Sequence, residues 1–361
     1  MKFRGLLLAG AASAALIGTA QLQSAGAETL PMIPQTGVVA LSDFFYMSIG
    51  GTAQVVELPK FNYGRHYNFL ANTYTDVYAD RNRVITGGPA ITIGYNLPWN
   101  IGTRPRVEFA AMANFGMVRD QVDSIAAPMT RAFFPTDLDT GAPLVGTFAD
   151  AQRIDLRIIH ENADGTVRVK TDIPIGGMFT LSPSVGAVFG WTQTRYDVTS
   201  RALWTAAAAD YNNVLKESLT TWRGGAEIGF DATLSLGQNF KLHGGMTGAA
   251  FYQHSHIKAS ECRGISFPPG VQPACSLPVP PQPRPANVAD ENYGVRAGAS
   301  LGATVSTGWM NITFMGTGSY NINMPQIENP RFLEQPQKCV KVGWEDRFSY
   351  GGYIMATFPL N

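Results

Sequence analysis

Apolar residues occupy every second position over long stretches of this chain. In the stretch 106–117, Val107, Phe109 and Phe115 alternate with Arg106 and Glu108. Successive side chains of a β-strand point to opposite faces, so this period of two predicts a strand with one apolar and one polar face. Similar stretches recur at 179–191, 222–236, 240–253, 293–305, 311–322 and 348–358, with weaker ones at 45–58, 84–96 and 167–173. The pattern predicts an all-β protein.

The length of these stretches separates two kinds of β protein. A soluble β-sandwich also alternates, but its strands average about five or six residues, whereas a tilted strand that crosses a membrane needs about nine to eleven. Most of the alternating stretches are of the longer kind. We therefore expect antiparallel strands that cross a membrane as an up-and-down barrel.

The predicted connections alternate between short and long. The short ones are 97–105, 174–177, 237–239 and 306–308, and the long ones are 59–83, 119–167, 194–221, 257–291 and 325–343. Short turns at one end and long loops at the other are typical of bacterial outer-membrane barrels, where the turns are periplasmic and the loops extracellular. Five loops and four turns predict ten strands, and twelve strands with irregular turns are the alternative.

One segment does not fit this scheme. Arg153, Asp155 and Arg157 alternate with apolar residues, and the sequence 161–165 (Glu-Asn-Ala-Asp-Gly) has the composition of a turn. If 153–158 were counted as a separate membrane-crossing strand, every later short turn and long loop would change to the opposite side of the membrane. We expect it to form a hairpin that extends the second long loop above the membrane.

Aromatic residues fall where the predicted strands end. Trp191 ends one strand and Trp222 begins the next, and Tyr95, Trp99 and Phe358 lie at the opposite end of their strands. Aromatic rings settle at the headgroup level of a membrane, so the positions predict one aromatic girdle at each interface.

The first 27 residues have the organisation of a secretory signal peptide. Lys2 and Arg4 precede an apolar run, and small residues precede a predicted cleavage between Ala27 and Glu28. The apolar run is shorter than the roughly 20 residues that a membrane-spanning helix needs. The expected mature chain is 28–361, a single barrel domain, exported through the general secretory route.

Charge excludes one class of function. The chain has 27 basic and 27 acidic residues, no basic cluster and 15% charged residues, which is not the composition of an electrostatic nucleic-acid binder. Hydrophobic residues make up 45% of the chain, which is also unlike a disordered protein.

With its export signal, strand pattern and aromatic last strand, the chain resembles a Gram-negative outer-membrane β-barrel protein, porin-like in architecture. The resemblance implies outer-membrane lipid and the outer-membrane assembly machinery as partners. In this superfamily the last strand commonly ends in an aromatic residue that the machinery reads, whereas here Phe358 is followed by Pro359, Leu360 and Asn361.

The polar face of the predicted strands supplies the candidate lumen lining. It contains acids and bases together: Arg106, Glu108, Lys170, Asp172, Arg223, Glu227, Asp231, Lys241, His243 and Arg296. A mixed lining rich in Gly, Ser and Thr suits a passive channel for small hydrophilic solutes. The alternative is a closed structural or adhesin-like barrel, in which these charges pair across a narrow lumen and the extracellular loops do the work.

The cysteines predict one crosslink. Cys262, Cys275 and Cys339 all fall in predicted loops, export is oxidising, and Cys262 and Cys275 lie in the same Pro-rich loop. We expect these two to form a disulfide.

No catalytic or metal centre is expected. His243 has no second metal ligand at a suitable spacing. His254 and His256 share a strand face and could bind a metal, but only weakly. Ten-stranded outer-membrane proteases carry an acidic pair and a His-Asp pair at the rim; here Asp137 and Asp139 form a D-x-D, but no matching His-Asp pair follows. The expectation is a barrel without enzymatic activity or cofactor, and the sequence does not indicate an oligomeric state.

Overall fold

The computed structural model describes residues 45–59, 62–68, 73–78, 82–97, 104–125, 132–134, 151–204, 209–266, 286–328 and 341–360. These residues form thirteen strands: β1 (Phe45–Glu57), β2 (Asn62–Asn68), β3 (Thr73–Tyr78), β4 (Arg83–Asn96), β5 (Arg104–Ile125), β6 (Ala132–Phe134), β7 (Ala151–Ile175), β8 (Phe179–Trp204), β9 (Ala209–Ser235), β10 (Phe240–Ser266), β11 (Ala286–Ser306), β12 (Asn311–Glu328) and β13 (Lys341–Leu360). Within the described residues, no helix is long and apolar enough to cross a membrane.

Ten of the strands close into one barrel. Their order around the ring is β1-β13-β12-β11-β10-β9-β8-β7-β5-β4. The ring closes where β1 pairs antiparallel with β13, from Phe45 opposite Leu360 to Val55 opposite Tyr350. The predicted ten-stranded antiparallel up-and-down barrel is confirmed. The short strands β2, β3 and β6 form a separate three-stranded sheet.

Tight turns join the strands at one end of the barrel, which we call the turn end. Gly176, Gly237 and Gly308 have φ values of 70°, 109° and 93° and lie in the β7–β8, β9–β10 and β11–β12 turns. This left-handed conformation strains any residue with a Cβ, which explains the glycines. The short connections are where the sequence predicts them.

At the opposite end, the loop end, the strands are much longer than predicted. The predicted loop 194–221 is nearly all strand, because β8 continues to Trp204 and β9 begins at Ala209. Likewise β10 continues to Ser266, so Cys262 lies in a strand, opposite Val214, and not in a loop. Hydrogen-bonded pairing continues well beyond the length needed to cross a membrane, and the connections shorten accordingly.

The predicted hairpin at 153–167 is wrong. Residues Ala151–Ile175 form one uninterrupted strand, β7, which pairs with β5 from Arg104 opposite Asp172 to Ile125 opposite Ala151. Gly165, read from the sequence as the end of a turn, lies in the middle of the strand, with the Phe189 ring close to the position a Cβ would take there. The ten-strand count holds because β7 crosses once and continues upward.

The outer surface of the barrel is apolar between two levels of aromatic rings. Outward-facing Ile228, Met246 and Val185 are 67%, 64% and 59% exposed. Trp191 and Trp222 pack 6.2 Å apart toward the loop end, and Phe45 and Tyr95 lie 4.7 Å apart at the turn end. Such a surface is stable in lipid and not in water, so the barrel spans a membrane.

The spacing of the two aromatic levels fits a bilayer. From Phe179 at the start of β8 to Trp191, a strand rising about 3.3 Å per residue at a tilt of about 40° climbs roughly 30 Å. Strand β8 then continues to Trp204. The barrel wall therefore continues beyond the level of Trp191 and Trp222 toward the loop end, and we call this part the extension. It is formed mainly by residues 151–162 of β7, 192–204 of β8, 209–221 of β9 and 254–266 of β10.

Several predictions fall on other parts of the chain. The signal peptide and its cleavage between Ala27 and Glu28, Trp99, the Asp137–Asp139 pair, Cys275 and Cys339 all lie outside the described residues. The signal peptide and the disulfide of Cys262 with Cys275 stay predictions.

Candidate functional site in the barrel lumen

Most of the residues predicted to line the lumen are buried inside the barrel. Their side chains alternate with the outward apolar residues of the same strands. Exposure is 8% or less for Arg106, Glu108, Lys170, Arg223, Glu227, Asp231, His243 and Arg296. Lys241 and Asp172, near the turn end, face inward and are partly exposed.

The buried charges form one connected chain of ion pairs, which we call the lumen network. Arg106 contacts Asp172 (Nη1 to Oδ2, 2.5 Å) and Glu108 (Nε to Oε1, 2.9 Å). Arg168 then bridges Glu108 (3.7 Å) and Glu227 (3.9 Å). The chain ends where Arg296 Nη2 donates to Glu227 Oε2 at 2.8 Å.

Two further pairs accompany this chain. The fully buried Lys170 lies 3.2 Å from Asp231 (Nζ to Oδ2). Arg223 donates to Asp164 at 2.8 Å, and its guanidinium lies 5.9 Å from the centre of the Phe251 ring. These buried acids and bases of the lining are therefore paired with one another.

The lumen network crosses the barrel from wall to wall. It starts on β5 with Arg106 and Glu108, passes through β7 and β9, and ends on β11 with Arg296. In the ring, β5 and β11 are five strands apart in either direction, so they stand diametrically opposite each other.

Large side chains fill the other half of the cross-section. Tyr46, Met112, Met315, Tyr353 and Met355 are each 7% exposed or less, and all but Tyr46 belong to one apolar cluster. The Tyr46 hydroxyl donates a hydrogen bond to Glu108, which joins this side of the lumen to the network.

The inward glycines leave room for these large neighbours. A Cβ at Gly294 would overlap the Phe251 ring and the Gln253 amide, and one at Gly94 would overlap the Tyr46 ring. The space beside these glycines is thus occupied by the inward-facing rings of Phe251 and Tyr46, which are 3% exposed each. It is not open lumen.

A largely apolar core fills the barrel at the level of the extension. Eight side chains pack together: Val56, Leu58, Val84, Ile154, Leu156, Ile158, Tyr196 and Val198. A second cluster contains Leu219, Ile257, Ala259 and Val342. Leu215 and Ile327 pack against both clusters, so the apolar side chains reach across the barrel. We call this layer the apolar plug.

The cavity between the apolar plug and the lumen network is small. Lined by Thr192, Arg223, Met324 and Arg347 among other described residues, it has a volume of about 10 Å³. A cavity must offer at least about 10–15 Å³ to hold a single water molecule. This cavity is therefore at the lower limit for a single water molecule.

The turn end of the lumen is polar. His243 hydrogen-bonds to Thr233 at 3.1 Å and to Thr304 at 2.8 Å, and Thr304 pairs with Thr313 at 2.7 Å. His243 is therefore a satisfied wall residue. The two other histidines of this strand lie on the outer wall, where His254 contacts Glu291 at 3.0 Å and His256 contacts Asn287. No group of three or more metal-ligating side chains occurs within the described ranges.

Sequence reasoning missed three parts of this arrangement. Arg168 joins both halves of the network, Asp164 was assigned to a turn, and the apolar plug was not foreseen. The alternation of 153–158 did carry the signal for the plug. Even-numbered residues of β7 face the barrel interior. Lower on the strand these residues include Arg168 and Lys170, whereas in 153–158 they are apolar, as at Ile154.

Comparison with known proteins adds little. No protein-family model and no curated protein matches the chain. The outer membrane protease OmpT from Escherichia coli is similar over 90% of this chain and 100% of its own, with 11% identity and a TM-score of 0.39. A FadL homologue of Pseudomonas aeruginosa covers 89% of this chain and 91% of its own, with 7% identity and a TM-score of 0.25. At these TM-scores neither similarity bears on the function of this chain, and its barrel fold is shown by its own strand pairing.

Proposed function

We propose that this protein is a Gram-negative outer-membrane barrel with a closed lumen, which acts through the surface it presents at the loop end. The observation that carries the proposal is the apolar plug, in which Val56, Leu156 and Ile158 are at most 1% exposed. On this proposal the turn end is periplasmic, the loop end is extracellular, and the surrounding partner is outer-membrane lipid.

The alternative from the sequence, a passive channel for small hydrophilic solutes, is less well supported. A hydrophilic solute would have to pass a layer of packed Leu, Ile and Val side chains, and then a network whose carboxylates already bind guanidinium groups. Apolar constrictions in channels block ions by excluding water. The narrow bore of a ten-stranded barrel, which side chains can fill, favours closure as well.

Conductance tests the proposal directly. The mature chain 28–361, refolded and inserted into a planar bilayer, should give no reproducible conductance steps. Folding is checked in the same preparation by heat-modifiable gel mobility. Stable steps of one size from folded wild-type protein would overturn the closed barrel in favour of the passive channel.

Charge reversal inside the barrel gives a second readout. Arg223→Glu places a second carboxylate beside Asp164, 2.8 Å from the present guanidinium, in a region that is nearly fully buried. A closed barrel should lose stability by about 3–5 kcal/mol, because the buried charge of Asp164 is left unpaired. An open pore would change its ion preference with little loss of stability. Arg153→Glu, on the exposed wall of the extension, is the matched control.

The absence of enzymatic activity is part of the same proposal. Its support is the lumen network itself, whose acids and bases are occupied with one another below the apolar plug. Incubation of the folded protein with a mixed peptide library should leave the peptides intact, and specific cleavage would contradict it.

A further inference from the structure

Arg347 of β13 is buried inside the barrel without an acidic partner. Its side chain is 8% exposed, and its Nη2 atom donates a hydrogen bond to the backbone oxygen of Pro325 at 2.8 Å. Its buried Nε atom has no hydrogen-bond acceptor, and no carboxylate among the described residues lies within 4 Å of the guanidinium. Because a guanidinium keeps its charge in a protein, a positive charge is buried here without a counter-charge from the described chain.

Arg347 differs in this respect from the other buried arginines. In the part of the chain that the structure describes, four more arginines are buried, and each has a carboxylate within 4 Å: Arg106, Arg168, Arg223 and Arg296. The acids next to Arg347 in sequence, Glu345 and Asp346, are exposed. Asp346 accepts hydrogen bonds from the Tyr320 hydroxyl and the Asn323 backbone N–H, so it is bonded away from Arg347.

Arg347 lines the small cavity between the apolar plug and the lumen network. Among the described residues, the lining of this cavity contains two guanidinium groups and three threonines, and no aspartate or glutamate: Arg223, Arg347, Thr192, Thr194 and Thr221. Arg223 is already paired with Asp164. The uncompensated charge at the cavity is therefore that of Arg347.

Hydroxyl groups add hydrogen-bond donors to the same cavity. The Thr192 hydroxyl forms no hydrogen bond with another described residue, so its proton can be donated to a group inside the cavity. The hydroxyls of Thr194 and Thr221 are bonded to His160 Nδ1 at 2.9 Å and to Ser255 Oγ at 3.0 Å. Arg347 Nε–H and the Thr192 hydroxyl are thus donors without a protein acceptor.

The size of the cavity restricts its occupant to something small. Its volume of about 10 Å³ is close to what one water molecule needs. A water molecule accepts hydrogen bonds but does not offset a charge, and an uncompensated buried charge is costly. A halide ion does both and consists of one atom, whereas phosphate and sulfate need much more space. Attraction between opposite charges is also stronger in the barrel interior than in water.

We propose that this cavity binds one halide ion, which is chloride under ordinary conditions. The ion offsets the charge of Arg347 and accepts hydrogen bonds from Arg347 Nε and the Thr192 hydroxyl. It supplies, between β13 and β8, the negative charge that acidic side chains supply elsewhere in the lumen. This inference goes beyond the loop-end function proposed above and does not depend on it.

Stability as a function of chloride concentration tests the site. The mature chain 28–361, folded in lipid vesicles, is unfolded with urea at constant ionic strength while chloride replaces gluconate, which is too large for the cavity. Above the dissociation constant, each tenfold rise in chloride should raise the folding equilibrium constant of the wild type by about tenfold. Stability that does not change with chloride would overturn the proposal.

Two variants and a control assign the effect to the cavity. Arg347→Met removes the charge but keeps a long side chain, so its stability should not depend on chloride. Thr192→Val should keep the dependence but weaken chloride binding by about 3- to 10-fold. Arg153→Gln, at an exposed arginine on the outer wall, should behave as the wild type does. An equal chloride dependence of the wild type and Arg347→Met would contradict a site at Arg347.

Bromide identifies the occupant directly, and without relying on a variant that folds. Crystals of the wild type grown in bromide should show one anomalous scattering peak within hydrogen-bond distance of Arg347 Nε. Electron density at this position without an anomalous signal would mean that the cavity holds water only, which overturns the proposal. Because conductance is measured separately, failure of the closed lumen and failure of this site are distinguishable.

Discussion

The same strands have opposite polarity in the two halves of this barrel. Below Trp191 and Trp222, Ile228 is 67% exposed on the outside while its sequence neighbour Glu227 is buried inside. In the extension the order is reversed: the Arg153 side chain is 55% exposed on the outside, and Ile154 is 2% exposed inside. The backbone alternates identically in both halves.

The difference follows from the solvent outside the wall. In the lower half lipid surrounds the barrel, so apolar side chains face outward and polar groups must find partners inside. In the extension water surrounds the barrel, and the apolar side chains form an ordinary hydrophobic core. One continuous sheet thus combines a membrane barrel with a barrel of the water-soluble type.

The lower half should depend most strongly on its charge pairs. Glu227→Gln leaves the buried guanidinium groups of Arg168 and Arg296 without their shared carboxylate, 3.9 and 2.8 Å away. We expect a loss of about 3–5 kcal/mol in the free energy of unfolding. Denaturant unfolding in lipid vesicles, followed by tryptophan fluorescence, measures it. Asp155→Asn, at an exposed pair in the extension, should cost less than about 1 kcal/mol.

The extension should depend on its apolar core instead. Ile158→Ala creates a cavity in the apolar plug and should cost about 2–5 kcal/mol in the same unfolding assay. The identical substitution at Ile228, which faces lipid, should cost clearly less because lipid fills the vacated space. Equal losses at the two positions would mean that the core of the extension is not packed as described.

A lysine introduced on the outer wall should lower the stability of the barrel only where that wall faces lipid, so it locates the boundary between the two halves. Ile228→Lys places an ammonium group against lipid and should cost about 2–4 kcal/mol, the value for a lysine near the membrane midplane. Ala289→Lys, on the outward face of β11 beyond Tyr293, should change stability by less than about 0.5 kcal/mol. A large loss at Ala289 would place this part of the wall in lipid and refute the boundary.

The two ends of the barrel also differ in their connections, and the tight turns can be tested separately. Gly237→Ala forces a residue with a Cβ to adopt a φ of 109° and should cost about 1–2 kcal/mol. Gly177→Ala is the control, because its φ is not positive and a Cβ there meets no atom within 4 Å. A neutral Gly237→Ala would indicate a turn of different conformation.

The smallest expected effect is a pH dependence just above the girdle. Hydrogen bonds from Tyr252 and then His254 lower the pKa of Glu291, which is exposed beyond Tyr293. A lowered folded-state pKa adds stability above the unfolded pKa of about 4.3, and this stability is lost as the pH falls through the folded value.

Unfolding midpoints of wild type and Glu291→Gln should therefore differ at neutral pH and converge in acid. Glu345→Gln controls for the removal of an exposed carboxylate on β13. A difference that persists below the lowered folded-state pKa of Glu291 would assign the effect to packing of the side chain.

The sequence was sufficient for the architecture because local rules govern it. Period-two alternation, as at Val107 and Glu108, identifies a strand and its two faces. Glycines such as Gly237 mark the turns, and rings such as Trp191 and Trp222 mark the membrane boundary. Each of these features depends on neighbours in sequence or on the surrounding solvent, and not on the rest of the fold.

The strand lengths and the packing of side chains inside the barrel were not predictable in this way. The Glu161–Gly165 segment has turn composition, yet it continues as β7 because neighbours β5 and β8 supply hydrogen-bond partners on both sides. Whether Arg106 and Glu108 border water or a partner depends on the opposite wall, where Arg296 completes the chain of ion pairs.

By itself, the sequence predicted ten antiparallel strands, with twelve as the alternative, and indicated which face of the alternating strands turns inward and where the aromatic girdles lie. Only the tertiary structure decided that the inward charges pair, that Phe251 fills the space beside Gly294, and that the extension has an apolar core. The physical reason is that alternation is a property of one strand, whereas filling a lumen depends on side chains from strands far apart in sequence that closure of the barrel brings together.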